Sequence, residues 1–277
     1  MNLTNFSDLR DLLKKYGVWA KKRLGQNFLV DAEVLAQIIA AAEIELGETI
    51  VEIGPGPGVL TQALLRAGAK VEAVELDTDI LPVLKEAARA YKGFLTIYNT
   101  HVLSFNPPEG NYKLVANIPY YLTSPILRKF LNEVSNRPTR VVLLVQKEVA
   151  EKICEPAGRD SHLSLMVKAY GAPKIVALVK AESFYPVPKV DSAILQIDLF
   201  SQPLFSLPPK IFEEMLFAGF AEPRKKLGNV LSRKFSMPAT EIRTILEKNG
   251  ISPDLRAQNL SIPEWEKLAK VFLAKYL

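Results

Sequence analysis

Glu52-Ile53-Gly54-Pro55-Gly56-Pro57-Gly58, directly after the apolar run Thr49-Ile50-Val51, decides how this chain is read. A short β-branched run ending in closely spaced glycines reads as a strand that turns tightly into a helix. A Cβ at such glycines would clash with a ligand or forbid the dihedrals the turn requires. Helical spacing follows at once, in Leu60, Ala63, Leu64 and Leu65. Glu75 stands 21 residues after Gly54, at the end of the next apolar run, where a carboxylate can accept hydrogen bonds from both hydroxyls of a ribose. The paired signals point to a nucleoside ligand. They speak against a dinucleotide, whose third glycine would stand at Val59; the order here is Gly-x-Gly-x-Gly, stiffened by two prolines.

Working outward, similar runs recur at Lys70 to Glu75, Phe94 to Tyr98, Tyr112 to Ala116, Arg140 to Val145, Lys174 to Lys180 and Val190 to Asp198, which makes seven strands with the first. Helical patterns lie between the early ones, for instance Val34, Leu35, Ile38 and Ile39 behind the N-cap candidate Asp31. Such alternation implies an α/β fold with a mostly parallel, doubly wound sheet. The last two strands are joined by Ala181 to Lys189, which has no helical pattern, so the final strand is expected to run antiparallel. Pro203, Pro208 and Pro209 then read as a linker. Beyond them Ile211, Met215 and Leu216, then Ile242, Ile245 and Leu246, then the capping-box candidate Ser261-Ile262-Pro263-Glu264 mark three helices. The expected domains are residues 1–202, an α/β unit, and 203–277, a small all-helical unit.

The 277 residues are 48% hydrophobic, enough for one large core plus a smaller unit. The longest apolar runs fall far short of the ~20 residues that span a bilayer. Charges interleaved among the N-terminal leucines exclude a signal-peptide core, so a cytoplasmic location without membrane attachment is expected. Cys154 is the single cysteine and His101 and His162 are far apart, so neither a disulfide nor a metal site is expected. The net charge of +5 permits a polyanionic partner. Basic clusters stand at Lys14-Lys15, Lys21-Lys22-Arg23, Arg224-Lys225-Lys226 and Arg233-Lys234. The third, beside Phe217, Phe220 and Leu227, reads as part of an amphipathic helix.

Asn117-Ile118-Pro119-Tyr120 ends the run Lys113 to Ala116, and its side-chain and backbone carbonyls could converge on the exocyclic amine of a nucleobase. An S-adenosylmethionine site needs no pyrophosphate cradle, only room for the amino-acid tail beside the glycines and an acid for the ribose. The two stretches together suggest methyl transfer to a base.

With these motifs in order, the chain resembles the small-subunit ribosomal RNA adenine N6,N6-dimethyltransferases along nearly its whole length. The resemblance rests on Lys22-Arg23-Leu24-Gly25-Gln26-Asn27-Phe28-Leu29, the Glu52 to Thr61 turn, Asn117 to Tyr120, Gln146 to Ala150, Phe184-Tyr185-Pro186-Val187-Pro188-Lys189-Val190-Asp191-Ser192 and Arg224 to Asn229. It implies a class I, Rossmann-like S-adenosylmethionine-dependent methyltransferase with a C-terminal helical RNA-binding domain. It also implies an enzyme that dimethylates two adjacent adenines near the 3′ end of small-subunit ribosomal RNA, in a pre-ribosomal particle; since nothing in the sequence forces a dimer, a monomer is expected. By the same resemblance Asn27 and Leu29 close over the cofactor, Gly54 and Gly56 line its methionine portion, Glu75 holds its ribose and Leu76 flanks its adenine. Asn117 and the Pro119 backbone accept the hydrogens of the target amine, and Tyr120 and Phe184 stack on the target ring. Lys22, Arg23, Arg224, Lys225 and Lys226 meet RNA phosphates.

His101 departs from the pattern, standing where the family usually has an aspartate that accepts a hydrogen bond from the cofactor's adenine amine. A neutral histidine has one acceptor nitrogen, and Asn99 is a second candidate for that bond. The stretch Pro156 to Ser164 is also shorter than the family's usual loop. Two other readings stay open: a large-subunit RNA adenine methyltransferase of the macrolide-resistance type, and an assembly factor for which methylation is secondary.

Overall fold

The computed structural model describes residues 2–272, so the last five residues of the predicted helical domain lie outside the described residues. In chain order its elements begin with α1 (Phe6–Lys15), β1 (Phe28–Leu29), α2 (Ala32–Ala42), β2 (Thr49–Ile53), α3 (Val59–Arg66), β3 (Lys70–Val74), α4 (Leu81–Ala87) and β4 (Leu95–Tyr98). There follow β5 (Tyr112–Asn117), α5 (Thr123–Arg128), β6 (Arg140–Gln146), α6 (Lys147–Cys154), α7 (His162–Tyr170), β7 (Gly171–Val179), β8 (Phe184–Tyr185) and β9 (Ser192–Leu199). The remaining helices are α8 (Pro209–Gly219), α9 (Leu227–Phe235), α10 (Ala239–Lys248) and α11 (Ile262–Phe272).

All seven predicted strands form one sheet in the order β4-β3-β2-β5-β6-β9-β7. The pairs among β4, β3, β2, β5 and β6 are parallel, and β9 runs antiparallel to β6 from Arg140↔Asp198 to Gln146↔Ser192, as expected. Central parallel strands are covered on both faces, which is why β5 and β6 are nearly continuous runs of buried side chains. The Asp31 carboxylate caps α2, accepting the N–H groups of Glu33 and Val34 at 2.9 and 3.2 Å. Ile38 and Ala42 of α2, Leu60 and Leu64 of α3, and Val115, Val142 and Ile194 of the sheet share one core cluster.

A second cluster was not foreseen. The charged N-terminal stretch forms α1, capped by Asn5, and it buries Leu9, Leu12 and Leu13 against Phe28, Val59, Ile80 and Val83. Its charges lie on the opposite face, so charges interleaved with leucines there make an amphipathic helix. The pair β1–β8, two residues each, was not anticipated either. Among the described residues no helix is long and apolar enough to cross a membrane.

The chain divides into two compact units, Met1–Ala150 with Pro173–Leu199, and Glu151–Ala172 with Phe200–Leu277. The expected boundary at residue 202 therefore misplaces Glu151–Ala172. The reason is packing on α7: the Tyr170 ring meets Phe205 edge-on, Phe205 stacks on Phe212 of α8, and the Leu204 N–H donates to Ala169 O at 2.9 Å. The three helices expected after residue 208 are present as α8, α10 and α11. The capping-box glutamate Glu264 accepts the Ser261 N–H at 2.7 Å and its hydroxyl at 2.6 Å. Arg224, Lys225 and Lys226 are not on a helix. They occupy the exposed turn between α8 and α9, where Pro223 removes a backbone donor and Lys226 precedes the first residue of α9 and pairs with Asp254 at 2.8 Å.

Candidate active site

The carboxyl ends of β2, β3, β4 and β5 all open onto one cavity, the place where an open α/β sheet can receive a ligand without side chains of the next turn filling the space. Most residues picked from the sequence come together here: Asn27, Leu29, Gly54, Gly56, Glu75, Leu76, His101, Asn117, Pro119 and Tyr120 all line it. The far ends of β5 and β6 carry partly buried charge pairs instead, Lys113 with Glu48 at 2.9 Å and Arg140 with Asp198 at 2.6 Å.

Gly54 and Gly56 have φ of +65° and +56°, the left-handed region that side chains other than glycine's seldom adopt. At Gly54 the nearest atom to an added Cβ would be Asn117 O at 4.0 Å, so the cavity reaches the backbone there. The Gly56 N–H points at Glu75, whose Oε2 accepts it at 3.1 Å while Oε1 accepts the Asp77 N–H at 2.8 Å. Glu75 is buried, and burial raises its pKa against the pull of those two donors. Glu52, also on the wall, is pushed further. Burial, helped by nearby Glu75, raises its pKa to about 8, although Thr61 donates a hydroxyl bond to it at 2.6 Å.

Across the cavity the Asn117 Nδ2 donates to the backbone carbonyl of Asn27 at 3.0 Å. Among the described residues Oδ1 of that amide has no hydrogen-bond partner, so it remains an acceptor. The Tyr120 hydroxyl is 2.7 Å from Ser192 Oγ, which ties the Asn117–Tyr120 loop to the start of β9. Burial raises the Tyr120 pKa, so the phenol stays protonated. The His101 Nδ1 accepts the Leu103 N–H at 3.2 Å. Asn99 does not line the cavity; its Nδ2 holds the Glu75 carbonyl at 2.8 Å.

Phe184 is a correction. Its ring is buried within the core cluster that holds Leu29, Val34 and Val179, and it is absent from the cavity wall. In the β1–β8 register Phe184 faces Leu29, and strand alternation sends the next ring outward, where Tyr185 meets Phe6 at 4.7 Å. The aromatic rings on the wall itself are Tyr120, Tyr121 and Phe28. Lys22 and Arg23 are exposed, immediately before the lining stretch Leu24 to Leu29.

Sequence reasoning missed the contacts that brace this wall. Asp77 is buried and gathers the Lys21 ammonium at 2.5 Å and the Gln26 amide at 3.0 Å, which together hold its pKa down against burial. Gln26 in turn accepts the Lys21 N–H at 2.7 Å. The loop that carries Lys22 and Arg23 is thus pinned beside Glu75. The one sequence signal was an aspartate two residues after the ribose-type glutamate. Cys154 is half-buried with its pKa raised by burial, which fits packing better than nucleophilic attack.

Residues 18–273 match the family model described as ribosomal RNA adenine dimethylase. The chain belongs to that family. A protein named ribosomal RNA small subunit methyltransferase A from Dehalococcoides mccartyi is 39% identical over 94% of this chain and 90% of its own length. One of the same name from Clostridium botulinum is 38% identical over 94% and 96%. Among solved structures, a dimethyladenosine transferase from Plasmodium falciparum is 26% identical with a TM-score of 0.77, covering 90% of this chain and 98% of its own. The 23S rRNA methyltransferase ErmE is 28% identical with a TM-score of 0.68, covering 88% and 98%.

Membership makes the chain a methyltransferase that depends on S-adenosylmethionine. The cavity fits that group. It offers a buried carboxylate between two backbone donors for vicinal hydroxyls, bare glycine backbone beside it, and the apolar Leu76 at its edge.

Proposed function

We propose that this enzyme dimethylates the N6 amines of two adjacent adenines near the 3′ end of small-subunit ribosomal RNA, acting as a cytoplasmic monomer on a pre-ribosomal particle. The observation that carries the reading is the Asn117 amide on the cavity wall, held through Nδ2 by Asn27 O at 3.0 Å, which leaves Oδ1 as its acceptor. The N6 lone pair of adenine is delocalised into the ring and attacks poorly. Acceptors for its two hydrogens favour a more tetrahedral nitrogen, whose lone pair is available. Asn117 Oδ1 and the Pro119-side backbone are those acceptors, uncharged and held in place on the wall. Bound S-adenosylmethionine supplies an electrophilic methyl group. Alignment of the nitrogen with that methyl contributes the rest, since orientation alone is worth roughly 7 to 11 kcal/mol in well-aligned systems. The proton becomes acidic once the nitrogen is alkylated, so no strong base is required.

In this reading Glu75 holds the cofactor ribose, Gly54 and Gly56 border its methionine portion, Leu76 covers its adenine, and Asn27 with Leu29 closes the entrance. Tyr120 flanks the target base, while Lys22, Arg23, Arg224, Lys225 and Lys226 take RNA phosphates. The two named small-subunit methyltransferases, at 38% and 39% identity, favour the small-subunit target over the large-subunit one of ErmE, at 28%. The test is mass spectrometry of ribosomal RNA after incubation of unmodified small-subunit particles, and of protein-free large-subunit RNA, with isotopically labelled cofactor. Label in two neighbouring dimethyladenosines of the small-subunit RNA is expected. Label confined to the large-subunit RNA would overturn the assignment.

A further inference from the structure

His101 stands on the cavity wall at the start of the turn Val102–Ser104, and its Nδ1 accepts the Leu103 N–H at 3.2 Å. A nitrogen that accepts carries no proton, and a neutral imidazole has one N–H, so the proton is on Nε2. Nε2 has no hydrogen-bond partner among the described residues, and it is the ring's remaining polar atom.

The polar edge of an adenine carries two amine hydrogens at the 6 position and bare lone pairs on its ring nitrogens. An Nε2–H faced with the amine would meet donor with donor; faced with a ring nitrogen it meets an acceptor. The neighbouring candidate for an amine acceptor is set back from the cavity. Asn99 donates through Nδ2 to the Glu75 and Leu76 carbonyls at 2.8 and 3.4 Å, and lies outside the cavity wall. We infer that His101 is a hydrogen-bond donor, and that this enzyme reads the adenine of its cofactor through a ring nitrogen and not through the 6-amino group. The inference rests on the placement of the cofactor given under the proposed function.

Calorimetric titration of the full chain with S-adenosylhomocysteine, and with its analogue lacking the 6-amino group, tests it without turnover. The wild-type protein is expected to bind the two within about threefold of each other, well under the worth of one hydrogen bond to a charged group. His101→Asp retains a side-chain acceptor for the Leu103 N–H and adds a second acceptor toward the adenine. It is expected to prefer the amine-bearing ligand by about tenfold or more. His101→Asn, which keeps both a capping acceptor and a donor, is expected to bind the two ligands within about threefold of each other. A tenfold preference for the amine in the wild-type protein would overturn the inference, and that measurement needs no variant to fold. Binding of neither ligand would overturn it together with the cofactor placement. Tight binding of the first with rejection of the second would leave that placement standing and remove only the role of His101.

Discussion

Glu75 and Asn117 face the same cavity from the carboxyl ends of β3 and β5, with β2 between them, and they are held in opposite ways. Both Glu75 oxygens are already engaged by backbone donors, at 3.1 Å to Gly56 and 2.8 Å to Asp77. Asn117 is fixed through its amide nitrogen, at 3.0 Å to Asn27 O, and its carbonyl oxygen has no partner among the described residues. A satisfied acceptor shares itself with a ligand equally before and during reaction, so it contributes to binding. An acceptor held in place but left open pays off most when the nitrogen opposite it changes geometry, so it contributes to rate. One wall holds and the other drives.

The largest expected effect follows from that division. Asn117→Ala should lower turnover by about 10²–10³-fold, the cost of losing one preorganised polar contact to a transition state. Cofactor affinity measured by calorimetry should stay within about threefold. Equal losses in affinity and rate would erase the distinction between the walls. Glu75→Gln comes next. It keeps the shape but loses the charge, and cofactor affinity should fall about 10- to 100-fold, the range for a hydrogen bond to a charged group. The rate at saturating cofactor should change little; a large loss of rate at saturation would place Glu75 among the driving groups.

Much of the holding wall was legible in the sequence, and little of the driving wall's support was. Gly54, Gly56 and Glu75 announce themselves because their chemistry is local: a turn that needs positive φ, and an acid at a strand end. The seven strands were equally plain, since parallel strands buried on both faces leave long apolar runs such as Val141 to Val145. The bond from Asn117 to Asn27 crosses 90 residues of chain and ends on a backbone carbonyl, which no side-chain pattern encodes. The same limit hid the Lys21, Gln26 and Asp77 contacts. Phe184 faces the core and not the cavity, and a proline-flanked aromatic pair does not reveal which of its rings does so; the pairing with Leu29 does. Glu151–Ala172 joined the helical unit through the rings of Tyr170, Phe205 and Phe212, contacts that linker composition cannot indicate.

Glu52 sharpens the account of the holding wall through pH. Its folded-state pKa of about 8 lies above the ordinary 4.5, so between those values the folded protein keeps a proton that the unfolded chain has lost. Stability therefore declines as pH rises through this window and levels off above it. Glu52→Gln has no proton to lose and can still accept from Thr61. Its melting temperature should fall less between pH 5 and pH 8 than that of the wild type, a difference of several degrees. Parallel melting curves across that range would mean that Glu52 is ionised when folded, and that the wall is wetter than its burial implies.

The smallest effects separate two glycines of the same turn. Gly54→Ala and Gly56→Ala both force a side chain into the left-handed region, at φ of +65° and +56°, for about 1–2 kcal/mol each. Beyond that shared strain their surroundings differ. A Cβ at Gly56 would lie 3.2 Å from the Phe28 ring, which belongs to the α1 core, so the fold must yield. A Cβ at Gly54 would meet only Asn117 O, at 4.0 Å, so the methyl enters the space between the two walls and the ligand must yield. Gly56→Ala should thus show the larger drop in melting temperature, with its N–H to Glu75 retained. Gly54→Ala should show the larger loss of cofactor affinity, about threefold to tenfold more than Gly56→Ala, since a misplaced methyl costs on the order of 1 kcal/mol. The reverse ranking in both assays would mean that the ligand packs against the Phe28 side of the turn, and that Gly54 is there for the chain path alone.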